Sequence, residues 1–136
     1  MRDVVAVIVG LLVGVATNMA FVLINVAIYP MPEGVGFNDQ EGLAEYIGTL
    51  PLLAFLIVLI AHLSQAFVGS LVAAKISLRP MTVAMIVGSI SLILGAINMI
   101  NLFEVTPRWM LIEIPLYLVV AWVAAKLVQK SRSLEQ

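Results

Sequence analysis

The chain has 136 residues, of which 62% are hydrophobic and only 11% are charged, and its formal net charge is −1. Soluble domains are about half apolar and about a quarter charged, so this composition excludes an ordinary soluble domain and indicates an integral membrane protein. The sequence contains no basic cluster that would suggest nucleic acid as a partner. The absence of cysteine excludes disulfides, thiolate metal sites and thiol catalysis.

Four apolar segments are long enough to cross about 30 Å of hydrocarbon as α-helices. They predict spans at about 4–29, 51–76, 81–102 and 108–128. The first segment is too long for the core of a signal peptide and is interpreted as a retained span. The third and fourth spans are each reached through a short turn that contains a proline, and short turns make successive helices antiparallel. The predicted fold is therefore all-α, a single transmembrane four-helix bundle over residues 1–136.

The distribution of Lys and Arg predicts the orientation of this bundle. Only Arg108 falls on one side, and six basic residues fall on the other: Arg2, Lys75, Arg79, Lys126, Lys130 and Arg132. Basic residues stay on the cytoplasmic side, so both termini are expected to be cytoplasmic. The expected location is the inner (cytoplasmic) membrane, as a multi-pass protein.

The long loop between the first two spans is predicted to be extracytoplasmic and to contain a short helix. Asn38 followed by Glu41 matches a capping box at the start of that helix. Leu43, Ile47 and Leu50 would share one face, which is expected to rest on the bilayer surface or on the mouth of the bundle. The loop carries four acids and no Lys or Arg. A cation-attracting vestibule would explain this charge, but a solvated acidic loop is the commoner cause.

The same loop also carries a resemblance to known proteins. "YPMPEG" at 29–34 precedes an acidic stretch, and "LAEYIGTLP" at 43–51 leads into an apolar helix that contains His and Gly. This pattern is similar to that of a group of short bacterial four-helix integral membrane proteins, and the similarity covers most of the chain. The resemblance implies a four-span topology and a bacterial source, and it implies no mechanism.

Each predicted span has one stripe of small and polar residues on an otherwise aliphatic surface. Lipid supplies no hydrophobic force between helices, so close packing at small residues and hydrogen bonds must hold the bundle together. The stripes are therefore expected to face one another. The predicted packing residues are Gly10, Gly14, Gly69, Gly88 and Gly95.

His62, the single histidine, and Glu113 are ionisable residues placed inside predicted spans. Such groups nearly always face the protein interior and have a partner, so the two are expected to pair directly or through another polar side chain or water. Alternatively, His62 is only a hydrogen-bond donor between helices and Glu113 reaches the headgroups. Pro115 removes a backbone donor and predicts a kink that widens the fourth helix.

Most hydrogen-bonding side chains fall in the outer half of the predicted bundle, which predicts a polar funnel that opens outward. The candidate binding residues are His62, Glu113, Gln65, Asn18, Asn25, Asn98 and Tyr117. Serines within the spans are expected to bond to carbonyl groups of their own helix.

Three functions are compatible with these features. The sequence has no metal-binding or nucleophile motif, so no catalytic residue, metal or cofactor is expected. The favoured function is a non-catalytic module that forms a homo-oligomer or joins a larger membrane complex. The alternative is a binder or transporter of a lipid or small amphipathic molecule that uses the funnel. The third is a membrane enzyme with His62 and Glu113 as an acid–base pair. Membrane lipids are the expected partners, and nucleic acid is not.

Overall fold

The computed structural model describes residues 1–134 as a bundle of four long helices with one short helix at its end. The helices are α1 (Arg2–Ile28), α2 (Gln40–Gly48), α3 (Leu52–Ile76), α4 (Pro80–Asn101) and α5 (Glu113–Leu134), with a 3₁₀ helix at Arg108–Ile112 before α5. The described residues contain no β-strand. Each of the four long helical segments is long and apolar enough to cross a membrane, which confirms the all-α, four-span prediction.

The observed spans agree with the predicted ones to within two residues at most boundaries. The exception is the last helix, which continues to Leu134 instead of ending near residue 128. This extension is rich in Lys, Gln and Arg, which are good helix formers. The predicted end at residue 128 was based on hydrophobicity alone. A helix can continue beyond the point where its apolar residues end.

Two groups of polar contacts tie the helices together at one end of the bundle. Arg2 Nε donates to the carbonyl of Ile76 at 2.6 Å. Arg132 Nη2 donates to three carbonyl oxygens at the C-terminal end of α3, at 2.8 to 3.1 Å. The start of α1 and the ends of α3 and α5 therefore meet at this end, which we call the terminal end. The opposite end, which carries α2, is called the loop end.

The central helix of the bundle is α3, which packs against α1, α4 and α5. α4 also packs along α5, whereas its contact with α1 is short. α3 and α5 run in the same direction. Glu113 at the start of α5 contacts His62 in the middle of α3, and Arg132 near the end of α5 contacts the end of α3. α1 therefore lies on one side of the α3–α4 pair and α5 lies on the other.

Glycines mark the closest contacts between helices. A Cβ on Gly10 would lie 2.5 Å from the carbonyl oxygen of Gly69, and one on Gly14 would lie 2.6 Å from that of Gln65. On α4, Gly88 and Gly95 face α5 in the same way, against Ala121 and Tyr117. All five predicted packing glycines thus lie where two helices meet, and at each of them an added Cβ would lie less than 3 Å from an atom of the neighbouring helix.

The predicted cap of α2 is wrong. Asp39, not Asn38, caps α2, and its carboxylate accepts a hydrogen bond from the Gly42 amide at 3.1 Å. A carboxylate at this position also interacts favourably with the positive end of the helix dipole. Pro115 lies in the first turn of α5, directly after the 3₁₀ helix, where no helical donor is needed, and the predicted kink stays a prediction.

Candidate functional site

A cavity of about 550 Å³ lies in the half of the bundle nearest the loop end. Its walls come from α1, α3, α4 and α5, and side chains of α2 lie across its loop end. Ligand pockets for small molecules typically measure about 300 to 1,000 Å³. The cavity is therefore large enough for a small ligand, and it lies within the predicted hydrocarbon region.

The structure brings all of the predicted binding residues into the wall of this cavity. Two come from α1, two from α3, one from α4 and two from α5: Asn18, Asn25, His62, Gln65, Asn98, Glu113 and Tyr117. They converge because each lies on the small and polar stripe of its helix. The rest of the wall is mainly aliphatic, aromatic and methionine side chains.

His62 and Glu113 contact each other directly, without an intervening side chain. His62 Nδ1 lies 2.9 Å from Glu113 Oε2. The Glu113 side chain is 1% exposed and that of His62 is 14% exposed. The contact gives each of the two polar groups a partner. A group without a partner would be costly in a low-dielectric interior.

Three polar atoms in the cavity wall are buried and have no hydrogen-bond partner among residues 1–134: Asn18 Oδ1, Asn25 Oδ1 and Ser91 Oγ. Asn25 is 5% exposed and Ser91 is 1% exposed. A buried polar group without a partner costs about 1–3 kcal/mol. Three such groups around one cavity indicate a site whose hydrogen-bonding capacity is met by something other than the protein.

Ser91 was not among the predicted binding residues. The expectation that spanning serines bond to their own helix is wrong for two of them. The Ser91 hydroxyl has no partner in the described part of the chain, and Ser70 donates to the carbonyl of Ala84 on α4 at 3.0 Å. A signal for Ser91 was present, since it lies on the same helical stripe as Gly88 and Gly95.

α2 covers part of the loop end of the cavity. Tyr46 of α2 is 8% exposed, and its hydroxyl donates to the carbonyl of Tyr29 just after α1. Burial raises the pKa of the Tyr46 phenol, so it keeps the proton that this bond needs. Ile47 and Leu50 pack against a buried apolar cluster that includes Phe55. Phe37, in the loop before α2, also lines the cavity and is 50% exposed, so α2 covers this end only in part and the outward-opening funnel stays a prediction. Sequence reasoning missed Tyr46, although it shares a face with Ile47 and Leu50.

Along one side, the cavity is bordered by exposed apolar residues of α1 and α4. Near the terminal end these helices are in contact, where Val7 packs against a cluster that contains Val83. Closer to the loop end, Val15 and Met19 of α1 and Leu94 of α4 line the cavity and are 43%, 41% and 49% exposed. These apolar side chains form an edge of the cavity that would face lipid.

No protein-family model matches the chain, and neither a curated protein nor a solved structure shows significant similarity to it. Its function is therefore argued from the geometry of the site. The site offers amide, hydroxyl and imidazole–carboxyl groups at one side of a mainly hydrocarbon wall. This chemistry suits a molecule that is apolar over most of its length and carries a polar group.

Proposed function

We propose that the protein binds a small amphipathic molecule from the membrane in the cavity between α1, α3 and α4. The observation that carries this proposal is the set of unpartnered, buried polar atoms of Asn18, Asn25 and Ser91 in an otherwise apolar wall. The side between α1 and α4 supplies a path along which an apolar tail can enter without crossing water. A protein used only as a packing module would gain nothing from leaving these groups unsatisfied.

The packing glycines no longer favour the self-associating module over a binder. Gly10 and Gly14 form the GxxxG face that would serve helix–helix association between chains. Within one chain this face is used against Gly69 and Gln65 of α3. The GxxxG face, which most favoured an oligomer, is therefore explained by helix packing within one chain.

The proposed orientation places the terminal end in the cytoplasm and α2 on the extracytoplasmic side of the inner membrane. The basic residues support this orientation, because six of the seven lie in the half of the bundle nearest the terminal end. Only Arg108 lies near the loop end. The cavity then lies in the outer half of the bilayer. Its side between α1 and α4 faces the lipid of the outer leaflet.

Native mass spectrometry of protein extracted in a gentle detergent tests the proposed function. Wild-type protein should retain about one small amphiphile per chain. Val22→Trp should lose it, because Val22 lines the cavity and an indole there would fill the space. Leu23→Trp is the matched control, since Leu23 is the next residue and is 59% exposed on the outside of α1. Absence of a bound molecule in wild type, or equal retention by the two variants, would contradict the proposal.

A membrane enzyme is a second candidate, supported by the contact between His62 and Glu113 in the cavity wall. The two groups could exchange a proton with a bound molecule. Lipid extracts from cells that express wild type or His62→Gln distinguish the two functions. A binder leaves the chemical species in the two extracts the same, whereas an enzyme gives a product that is lost in the variant.

A further inference from the structure

We infer that the ligand is an uncharged lipid alcohol, a long apolar molecule whose hydroxyl group binds at the level of His62. This inference rests on the proposed function and specifies the ligand class of the same cavity. It depends on three features of the wall: the depth of its polar atoms, their hydrogen-bonding capacity and the charges that surround them.

The first feature is depth. Gly14 lies opposite Gln65, and Asn18, one turn further along α1, therefore lies at the level of His62. Ser70 of α3 bonds to Ala84 of α4. The two helices are antiparallel, so Ser91, seven residues after Ala84, lies level with the part of α3 about seven residues before Ser70, which is next to His62. His62 is ten residues from the start of α3, or about 15 Å below the loop end of the helix at 1.5 Å per residue.

The second feature is hydrogen-bonding capacity. At this level, Asn18 Oδ1 is an unpartnered acceptor, and Ser91 Oγ can both donate and accept. A ligand hydroxyl has one donor and two acceptor sites, so it can donate to the amide oxygen and accept from the serine hydroxyl. A carbonyl or ether oxygen could only accept, and it would leave the Asn18 oxygen unsatisfied. Asn25 lies two turns nearer the loop end and is outside this group.

The third feature is charge. Among residues 1–134, no Lys or Arg lines the cavity, and the one carboxyl group, on Glu113, is already paired with His62. A phosphate at this depth would have no cation, and an ammonium would have to compete for a carboxyl group that has a partner. Charges inside a bilayer are costly unless they are paired. An uncharged head is therefore the chemistry that this wall accepts.

The test uses four probes that share one oleyl chain and differ only at the head: oleyl alcohol, oleyl methyl ether, oleyl phosphate and oleylamine. Each is titrated into delipidated wild-type protein, and one-to-one binding is followed by native mass spectrometry. The ether should bind about two- to tenfold more weakly than the alcohol, since one hydrogen bond is lost. The phosphate and the amine should each bind at least about tenfold more weakly than the alcohol.

Ser91→Ala supplies a matched test of the hydroxyl contact. The variant should bind oleyl alcohol about two- to tenfold more weakly, whereas Ser89→Ala, at an exposed position on the same helix, should bind it like wild type. Ser91→Ala should not lower the melting temperature of the ligand-free protein, because Ser91 Oγ makes no hydrogen bond within residues 1–134.

Ether, phosphate or amine binding as tightly as the alcohol would overturn the inference and leave the proposed function intact. Equal alcohol binding by Ser91→Ala and Ser89→Ala would also overturn it. If extracted wild type retains an amphiphile but none of the four probes binds, the inference fails and the proposed function stands; if extracted wild type retains none, the proposed function fails as well.

Discussion

Replacement of His62 and Glu113 by leucine, singly and together, should reveal strong coupling between the two side chains. In either single variant the remaining group is left in the interior without its 2.9 Å contact. Such an orphaned group costs about 1–3 kcal/mol if neutral, and breaking a buried ion pair costs about 3–5 kcal/mol. Glu113 is 1% exposed and cannot recover this energy from water, so His62→Leu should be the more destabilising single change. The double variant contains no orphaned group. We therefore expect a coupling free energy of at least about 1 kcal/mol, with the double variant more stable than the sum of the singles predicts.

Reversible unfolding in mixed micelles, as the fraction of a denaturing detergent is raised, measures these free energies. Glu113→Leu combined with Ser133→Ala is the control pair, because twenty residues of α5 separate these positions, which is about 30 Å. The control changes should add to within about 0.5 kcal/mol. If the His62 and Glu113 changes add equally well, the contact contributes no stability and the reasoning about a buried hydrogen-bonded pair is refuted.

Three further predictions follow from other contacts. Gly14→Ala should lower the melting temperature in detergent, because its Cβ would lie 2.6 Å from a backbone oxygen of α3 and overpacking costs about 1–3 kcal/mol. Gly36→Ala is the control, since no atom lies within 4 Å of the new Cβ, and it should leave the melting temperature unchanged. Equal melting temperatures of the two variants would refute the close approach at Gly14. Arg132→Ala should lower the melting temperature more than Arg79→Ala, because the Arg132 side chain joins α5 to three carbonyl groups of α3, whereas the Arg79 side chain is 69% exposed. Single cysteines at Gly36 and Ser133 test the proposed orientation in intact cells, where an impermeant thiol reagent should label only the cysteine at residue 36, and the reverse pattern would overturn it.

The sequence alone determined the number of candidate spans, all but one of their limits and the residues that turn inward. Hydrophobic length sets the spans, because about 30 Å of hydrocarbon requires about 20 apolar residues in a helix. Polar side chains inside a span must face protein, since lipid cannot satisfy them, and this rule placed Asn18, His62 and Glu113 in one cavity wall. The packing glycines were predictable for a similar reason, because small residues are what allow two helices in lipid to approach.

Only the tertiary structure decided which helices meet and where the cavity lies. The stripe on each helix shows which face turns inward, but the neighbour that it meets depends on how all four helices pack at once. That packing made α3 the central helix, brought it alongside the parallel α5 and left α1 and α4 apart near the loop end. It also placed Tyr46 across the cavity and left Ser91 without a partner within residues 1–134. These features arise from contacts between residues far apart in the chain, and a periodic pattern within one helix does not encode such contacts.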